Sequence, residues 1–194
     1  MKILNLYAGI GGNRKLWGNE HEITAVEIDE EIAGEYIKNF PKDKVIIADA
    51  HQYLLDHYKE FDFIWSSPPC PTHSKLNFSR KEKSYPSMVL YQEIIFLRSW
   101  FKGKFCIENV TPYYKSLITP TVILGRHFFW ANFDIPTKTF TNIDVSRSTQ
   151  EQLAEDLDMP IPRRCAGLLL RNCLKPEIGK HLFECAFKNK QETL

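Results

Sequence analysis

The chain opens with MKILNLYAGIGG (residues 1–12), in which a β-rich run leads directly into a glycine-rich turn. We interpret residues 2–8 as a buried strand, because a short apolar run that ends in turn residues is typical of a strand covered on both faces. The glycines let the backbone approach a ligand closely as the chain enters a short helix predicted at residues 13–17. Their spacing differs from the GxGxxG dinucleotide fingerprint, so the turn alone fits a structural role as well as a binding role.

Outward from this stretch, short β-rich runs alternate with helical segments. Asp29 stands where a helix N-cap belongs, with acidic residues in the first helical turn and Pro41 as the helix stop. Strands separated by helices form βαβ units, which predict an α/β fold with a mostly parallel sheet and helices on both faces. Further strands are predicted at residues 23–28, 44–49, 61–67 and 104–110, and further helices at residues 52–58 and 86–100.

Composition limits the class of protein. The chain has 194 residues, 43% of them hydrophobic, with 25 basic and 24 acidic side chains and a formal net charge of +1. These values exclude a disordered chain and require that any contact with nucleic acid rest on local positive clusters. No apolar run approaches the ~20 residues of a membrane span, and no signal peptide opens the chain. Five cysteines without a CxxC pair fit neither a disulfide framework nor a zinc knuckle. We therefore expect a reduced, cytoplasmic protein without membrane association or a metal.

The pattern loosens in the second half of the chain. Residues 121–133 are strand-like, Ser148 or Thr149 is suited to cap a short helix, and a proline starts a helix predicted over residues 176–188. No repeat or low-complexity linker interrupts the chain, so we expect residues 1–194 to form a single domain.

Polar residues fall at the predicted carboxyl ends of successive strands. In open parallel sheets, ligands bind outside those ends where the strand order reverses. Glu27 and Asp49 end the second and third strands, where one acid can accept ribose hydroxyls and the other an adenine amino group. Each alone fits a helix cap or a solvated acid equally well. Together, in order and on successive strands, they indicate an adenosyl cofactor.

A rigid turn, SPPC (residues 67–70), presents the thiol of Cys70 at the end of the fourth strand. This placement makes Cys70 a better nucleophile candidate than the other four cysteines. Glu108 ends the fifth strand, and a buried glutamate facing the same cleft would have a raised pKa and could donate a proton. The spacing leaves open the alternative that Cys70 is merely buried and that Glu108 caps the following turn.

These stretches resemble the motifs of the DNA (cytosine-5)-methyltransferase family along nearly the whole chain. LYAGIGG (6–12), AVEID (25–29) and ADA (48–50) resemble the motifs that hold the methionine, ribose and adenine parts of S-adenosyl-L-methionine. RNCLKP (171–176) resembles the last motif, in which Asn172 closes the cofactor pocket. The resemblance implies a Rossmann-like S-adenosylmethionine-dependent methyltransferase fold with that cofactor bound by Tyr7, Ala8, Gly9, Gly11, Gly12, Glu27, Ile28, Asp49, Ala50, Pro69 and Asn172.

Two further motifs concern the reaction. SPPC (67–70) resembles the catalytic Pro-Cys motif, and ENV (108–110) resembles the Glu-Asn-Val motif. The resemblance implies that Cys70 attacks carbon-6 of cytosine while Glu108 protonates or hydrogen-bonds ring nitrogen-3, so that carbon-5 can take the methyl group. In duplex DNA the ring must first be flipped out of the stack. Arg126 matches one arginine of a further motif and is the third implied catalytic residue.

Two sequence details depart from the family pattern. The family usually follows its Pro-Cys with glutamine, whereas here the next residues include His73 and Ser74. These two are open to contacts with phosphate or the flipped base, or to shaping the loop. In the Gln-x-Arg-x-Arg motif only Arg126 matches, because Val122 and Leu124 occupy the other places. The resemblance implies that Arg126 holds the base carbonyl or the catalytic loop.

The largest departure is size. The family carries a target-recognition domain between the arginine motif and the last motif, and residues 134–171 stand in its place as a reduced remnant. Reading base edges requires an element inserted in a groove, so specificity would come from a short context or a partner subunit. Basic residues after the catalytic turn offer phosphate contacts, although a charge run is more often a solvated face. They are Lys75, Arg80, Lys81 and Lys83.

The resemblance thus implies a bacterial or phage-encoded DNA (cytosine-5)-methyltransferase, of the kind found in restriction–modification, with DNA as its partner. One alternative keeps the chemistry and changes the substrate to RNA, single-stranded DNA or a free cytosine nucleotide. Another is a non-catalytic, cofactor-binding regulatory subunit. Binding alone requires neither Cys70 nor Glu108, so the presence of both argues against the last alternative.

Overall fold

A computed structural model describes residues 1–78, 81–82, 84–141 and 145–187 of the chain. Arg80 and Lys83, two of the predicted phosphate-contacting residues, lie outside the described residues, as does Lys188 at the end of the last predicted helix. Within these ranges, no helix is both long and apolar enough to cross a membrane.

One sheet contains the strands of the described residues: β1 (Lys2–Leu6), β2 (Glu22–Glu27), β3 (Lys44–Ile47), β4 (Phe63–Ser66), β5 (Lys104–Val110), β6 (Val122–Leu124) and β7 (His127–Ala131). Their order is β3-β2-β1-β4-β5-β7-β6. The first five strands in that order are parallel, and β7 and β6 add an antiparallel edge. The predicted α/β fold with a mostly parallel sheet is confirmed.

The helices are α1 (Glu30–Asn39), α2 (Ala50–His57), α3 (Lys75–Phe78), α4 (Val89–Trp100), α5 (Gln150–Leu157), α6 (Ala166–Asn172) and α7 (Pro176–Phe187), with a 3₁₀ turn at Tyr58–Glu60. Asp29 caps α1 as predicted, because its carboxylate accepts the N–H groups of Glu31 and Ile32. Thr149 caps α5 in a reciprocal capping box with Gln152.

The helix predicted at residues 13–17 is wrong, since this stretch forms a run of turns. The N–H groups of Arg14 and Trp17 each bond to a carbonyl three residues earlier in the chain. Trp17 is drawn into the core, where its indole N–H donates to the carbonyl of Gly179 at 3.2 Å. This tertiary contact and Gly18, at φ +87°, end the run before a helical turn can continue.

Helices cover both faces of the sheet. Alternate residues of a strand point to opposite faces, and β4 shows this clearly. Phe63 and Trp65 are buried with Trp17 beneath α7, whereas Ile64 is buried with Phe105 beneath α4. The functional turns that follow β1 and β4 are therefore anchored in a core on each side of the sheet.

Residues 134–171, predicted as a remnant of a recognition domain, contribute α5 and α6. Their apolar side chains, including Leu153, Leu157 and Leu170, pack around Ile10 of the glycine-rich turn. This segment is thereby joined to the main sheet domain at the turn that the sequence analysis assigns to the cofactor.

The strand order reverses between β1 and β4. These two strands are neighbours, with Leu6 opposite Ser66, and β5 lies on the far side of β4 with Ile107 opposite Ser66. The glycine-rich turn and the Pro-Cys turn therefore leave the sheet side by side. This is the position at which open α/β sheets bind ligands.

Candidate active site

A cavity of about 310 Å³ lies at the carboxyl ends of β1, β4 and β5, within the size range of small-molecule sites. A second cavity, of about 540 Å³, adjoins it at Arg126, His127 and Cys173. The smaller cavity is the one that gathers most of the predicted site residues, namely Tyr7, Ala8, Gly9, Gly11, Gly12, Glu27, Pro69, Cys70, Glu108, Arg126 and Asn172. No group of three or more His, Cys, Asp or Glu residues in the described ranges is placed to hold a metal ion.

The glycine-rich turn forms one wall of this cavity. Gly9 has a left-handed backbone, with φ +55°, and a Cβ there would meet no atom of the described residues within 4 Å. A Cβ on Gly11 would instead collide with the ring of Phe40, and one on Gly12 with the sulfur of Cys173. A side chain at Gly11 or Gly12 would thus collide with the protein itself, whereas Gly9 presents an open backbone face to the cavity.

Glu27 is held rigidly at the end of β2 by three backbone N–H groups. Its Oε2 accepts from Gly9 at 2.9 Å, and its Oε1 accepts from Ile28 at 3.0 Å and from Asp29 at 3.2 Å. A carboxylate offers about four acceptor positions, so about one position, on Oε2, is left for a hydroxyl of a ligand. The bond from Gly9 also fixes the carboxylate against the glycine-rich turn.

Three residues of the predicted cofactor set do not line this cavity. Ile28 is 66% exposed. Asp49 is an exposed N-cap of α2, whose Oδ1 accepts the N–H of Gln52 at 2.8 Å, and Ala50 is buried behind it. Their contacts with an adenine remain predictions, and such contacts would extend a bound cofactor from the cavity along the edge of the sheet.

The Pro-Cys turn is fixed from two sides. Asn109, buried at the end of β5, donates its side-chain amide to the carbonyl of Pro68 at 2.8 Å. The N–H groups of His73 and Ser74 donate to the carbonyl of Cys70 at 2.9 Å and 3.0 Å. The half-buried thiol of Cys70 thus sits on a turn whose backbone is bonded both before and after it.

The cavity shifts the acidity of its two reactive groups. Burial raises the pKa of Glu108 from 4.5 to about 7, although a hydrogen bond from Ser67 and the charge of Arg126 lower it. Burial also raises the pKa of the Cys70 thiol, the nearby Glu108 carboxylate raises it further, and Arg126 opposes both effects. Near neutral pH, Glu108 can therefore hold or release a proton beside a predominantly protonated thiol.

Arg126 lies in the hairpin between β6 and β7. Its guanidinium donates to the carbonyl of Arg171, directly before Asn172, and so ties this hairpin to the last motif. Val122 and Leu124 are buried in the core, with 9% and 1% of their surface exposed. Val122 and Leu124 are therefore apolar because they pack in the core, and Arg126 is the residue of this motif that places a positive charge at the cavity.

Two cavity residues were missed by the sequence analysis. His127 places Nε2 3.8 Å from Oε1 of Glu108, and burial together with the charge of Arg126 lowers its pKa to about 3, so its ring is neutral. His127 reaches the cavity because β7 pairs with β5 in the register that sets His127 opposite Val110. No sequence pattern indicates this register. Ser67, which hydrogen-bonds Glu108, had a signal, since it directly precedes the two prolines of the catalytic turn.

The residues after the catalytic turn divide into buried and exposed groups. His73 is 1% exposed, and its Nδ1 lies 2.6 Å from the hydroxyl of Tyr114. Ser74 is half-buried and forms an isolated bridge with the segment after β5. Lys75 and Lys81 are exposed. In this conformation His73 shapes the loop, and Lys75 and Lys81 are the predicted phosphate-contacting residues that the described part of this stretch exposes to an external anion.

A sequence model described as "C-5 cytosine-specific DNA methylase" matches residues 1–116. No curated protein matches the chain. Similar solved structures include a Spodoptera frugiperda DNMT2 mutant, with 22% identity, a TM-score of 0.45, and 73% of this chain and 54% of that chain covered. The Entamoeba histolytica methyltransferase EhMeth has 16% identity, a TM-score of 0.46, and coverages of 80% and 65%. An Agrobacterium tumefaciens SAM-dependent methyltransferase has 15% identity, a TM-score of 0.45, and coverages of 59% and 40%. The chain thus spans less than two thirds of the length of each of these three proteins.

Proposed function

The chain belongs to the C-5 cytosine-specific DNA methylase family, and on that premise we propose that it methylates carbon-5 of cytosine in DNA through a covalent adduct with Cys70. One observation carries the proposal. A half-buried thiol and a carboxyl group with a pKa of about 7 line the same cavity as the glycine-rich turn. A nucleophile and a proton donor near neutral pH are the two groups that this reaction requires.

S-adenosylmethionine is the methyl donor of this family, and the residues present fit it. The open backbone face of Gly9 would be filled by any side chain, and the remaining acceptor position of Glu27 suits a ribose hydroxyl. When bound, the cofactor supplies an electrophilic methyl group. The residues proposed to hold it are Tyr7, Ala8, Gly9, Gly11, Gly12, Glu27, Ile28, Asp49, Ala50, Pro69 and Asn172.

Cys70 is the proposed nucleophile. Its sulfur forms a bond to carbon-6 of the cytosine ring, and the electrons of the 5,6 double bond move towards ring nitrogen-3. The thiol must first lose its proton, which burial and the Glu108 carboxylate both disfavour. The charge of Arg126 acts in the opposite direction and favours the thiolate.

Glu108 is the proposed acid that protonates nitrogen-3. With a pKa of about 7 it can carry the proton that the ring needs as the sulfur–carbon bond forms. A protonated Glu108 also removes the negative charge that raises the pKa of Cys70, so the acid and the thiolate favour each other. Once carbon-5 has been methylated, a base from solvent removes its proton, and the 5,6 double bond re-forms as Cys70 leaves as the thiolate. Nitrogen-3 then returns its proton to the Glu108 carboxylate, which gives neutral 5-methylcytosine.

Arg126 is proposed to maintain the shape of the cavity. Its bond to the Arg171 carbonyl joins the hairpin to the segment that carries Asn172. The guanidinium can also donate a hydrogen bond to the carbonyl oxygen of a bound cytosine ring, as the resemblance to the family's arginine implies.

DNA is the proposed substrate, with the target base flipped into the cavity. Lys75 and Lys81, which are exposed and follow the catalytic turn in the chain, support phosphate contacts that carry no sequence information. Residues 134–171 pack on the glycine-rich turn through Ile10, which supports a role in shaping the cofactor site. A short sequence context or a partner subunit would then supply specificity. The free thiols of Cys70, Cys106, Cys165 and Cys173 support a reducing, cytoplasmic setting.

The substrate test offers labelled S-adenosylmethionine with duplex DNA, single-stranded DNA, RNA or dCMP in parallel. We expect transfer to cytosine in duplex DNA to exceed transfer to the other three. Transfer only to RNA, to single strands or to the nucleotide would keep the chemistry and replace the substrate. Cofactor binding without transfer to any of them would identify a non-catalytic subunit.

The mechanistic test uses a duplex containing 5-fluoro-2′-deoxycytidine, from which the carbon-5 fluorine cannot leave as a proton does. We expect a covalent protein–DNA adduct at Cys70 by mass spectrometry. Cys70→Ser should form none, whereas Cys165→Ser, which alters an exposed thiol away from the cavity, should react like the wild type. An adduct that persists in Cys70→Ser would refute the assigned nucleophile.

A further inference from the structure

A fully buried carboxylate lies beneath the site and has no part in the chemistry above. Glu93 is on α4, and its side chain is 0% exposed. Its Oε1 accepts the hydroxyl of Tyr7 at 2.7 Å and lies 3.1 Å from Nδ1 of His51, and its Oε2 accepts the hydroxyl of Ser66 at 2.5 Å. A carboxylate removed from water needs such partners in place of its hydration.

Two of the three partners of Glu93 lie in, or directly before, the two functional turns. Tyr7 is the first residue of the glycine-rich turn, and it is left-handed at φ +55°, which is uncommon for a bulky residue and needs support from its surroundings. Ser66 is the last residue of β4 and directly precedes Ser67, which hydrogen-bonds Glu108. Each oxygen of one carboxylate therefore reaches a different turn.

We propose that Glu93 is a positioning residue that aligns the two turns, holding the cofactor turn through Tyr7 and the catalytic turn through Ser66. The assignment of the turns rests on the proposed function. Group transfer needs its reacting atoms held in close alignment, and a small displacement of either turn slows it strongly. A single carboxylate bonded to both turns couples their positions without touching either reactant.

His51 completes the cluster at its outer side. It is at the start of α2, and its side chain is 25% exposed. The hydrogen bond to Glu93 raises the pKa of His51, as do the charges of Glu93 and Asp49, while burial opposes them. A protonated His51 therefore places a positive charge directly beside the buried Glu93 side chain.

Two variants test separately the hydrogen bond of Glu93 to each turn. Tyr7→Phe and Ser66→Ala each remove one hydroxyl and leave Glu93 with its other partners. We expect Tyr7→Phe to weaken S-adenosylhomocysteine binding about tenfold by calorimetry, the usual effect of losing a hydrogen bond to a charged group. Ser66→Ala should bind it as the wild type does but lower kcat at saturating cofactor about tenfold. Glu93→Gln, which keeps the shape, should show both effects.

Tyr53→Phe is the matched control, because Tyr53 lies on α2, where its ring stacks on that of His57 with centroids 4.2 Å apart, and it is not one of the three residues bonded to Glu93. It should leave affinity and kcat unchanged. Unchanged S-adenosylhomocysteine affinity in Tyr7→Phe would overturn the proposal, as would equal losses of affinity and kcat in both single variants. A wild type that binds S-adenosylhomocysteine but methylates no cytosine would refute the proposed function alone, and the affinity of Tyr7→Phe would still decide the role of Glu93.

Discussion

Replacing Glu108 with glutamine should stabilise the protein at neutral and alkaline pH while abolishing methyl transfer. Burial raises the pKa of this carboxyl from 4.5 to about 7, so the folded protein holds the proton more tightly than the unfolded chain does. The stabilising contribution of the protonated group is therefore complete below about pH 4.5. It declines as the pH rises from there to about 7, because the unfolded chain ionises first.

The size of the effect follows from the same pKa values. One pKa unit corresponds to about 1.4 kcal/mol, so the rise from 4.5 to about 7 lowers the free energy of unfolding by roughly 3 kcal/mol at pH 8. Glutamine has nearly the same shape and no charge to bury, and it can still accept a hydrogen bond from Ser67. The advantage of Glu108→Gln should thus be small at pH 4.5 and grow to about 3 kcal/mol at pH 8.

Urea unfolding between pH 4.5 and 8.5, followed by tryptophan fluorescence, measures this difference. Glu155→Gln, an exposed glutamate on α5, is the matched control and should follow the wild type at every pH. The reasoning would be refuted if Glu108→Gln were no more stable than the wild type at pH 8. A constant difference at all pH values would refute it equally, because a pKa shift must produce a pH-dependent one.

Three further predictions concern the same cavity. The reactive form of the site holds one proton between Cys70 and Glu108, with the thiol ionised and the carboxyl protonated. The kcat/KM of the wild type should therefore rise as the pH passes about 7 and fall only near the raised pKa of the thiol. A pH-rate profile without the rise would contradict this. Gly9→Ala should reduce S-adenosylhomocysteine binding more than tenfold by calorimetry, whereas Gly12→Ala should lower the free energy of unfolding by about 1–3 kcal/mol; equal effects on binding would contradict the different surroundings of the two glycines. Asn109→Ala removes the donor that holds the Pro-Cys turn and should lower kcat at least about tenfold with cofactor affinity unchanged; an unaltered kcat in single-turnover assays would exclude this positioning role.

The local parts of the fold were predictable because their signals are local. Asp29 caps α1 through its own side chain, and Thr149 caps α5 in the same way. The alternation of strands and helices likewise needs only the pattern of apolar residues. The error at residues 13–17 has the opposite origin, since a long-range bond from Trp17 to Gly179 determines the path of that stretch.

The candidate site follows the same division. Cys70 and Glu108 stand next to strand ends, and the topology of a parallel sheet is sufficient to bring them together. His127 reaches the cavity through antiparallel pairing of β7 with β5, and Glu93 reaches Tyr7 from a helix 86 positions later in the chain. The register of β7 against β5 decides the first contact, and the rotation of α4 about its axis decides the second. Neither can be inferred from a single sequence.

The basic residues near the end of the chain bear on how the substrate would be held. Arg164 is paired with Glu31, and Arg171 donates to the carbonyls of Val145 and Gly167. These contacts within the chain occupy two guanidinium groups that could otherwise bind phosphates. Exposed ion pairs contribute little free energy, however, and their members can exchange partners. Among the described residues, Lys75 and Lys81 are the better candidates for phosphate contact, because they are exposed and follow the catalytic turn in the chain.

Phosphate contacts from Lys75 and Lys81 would release counterions, so the part of the nucleic-acid affinity that these two residues supply should fall with salt. Contacts of the base with the cavity that holds Cys70 and Glu108 would add further binding free energy. Neither kind of contact reads the bases that flank the target cytosine. Sequence choice would then come from a short context or from a partner subunit, and if a partner supplies it, adding that subunit should change target preference without changing the pH dependence set by Glu108.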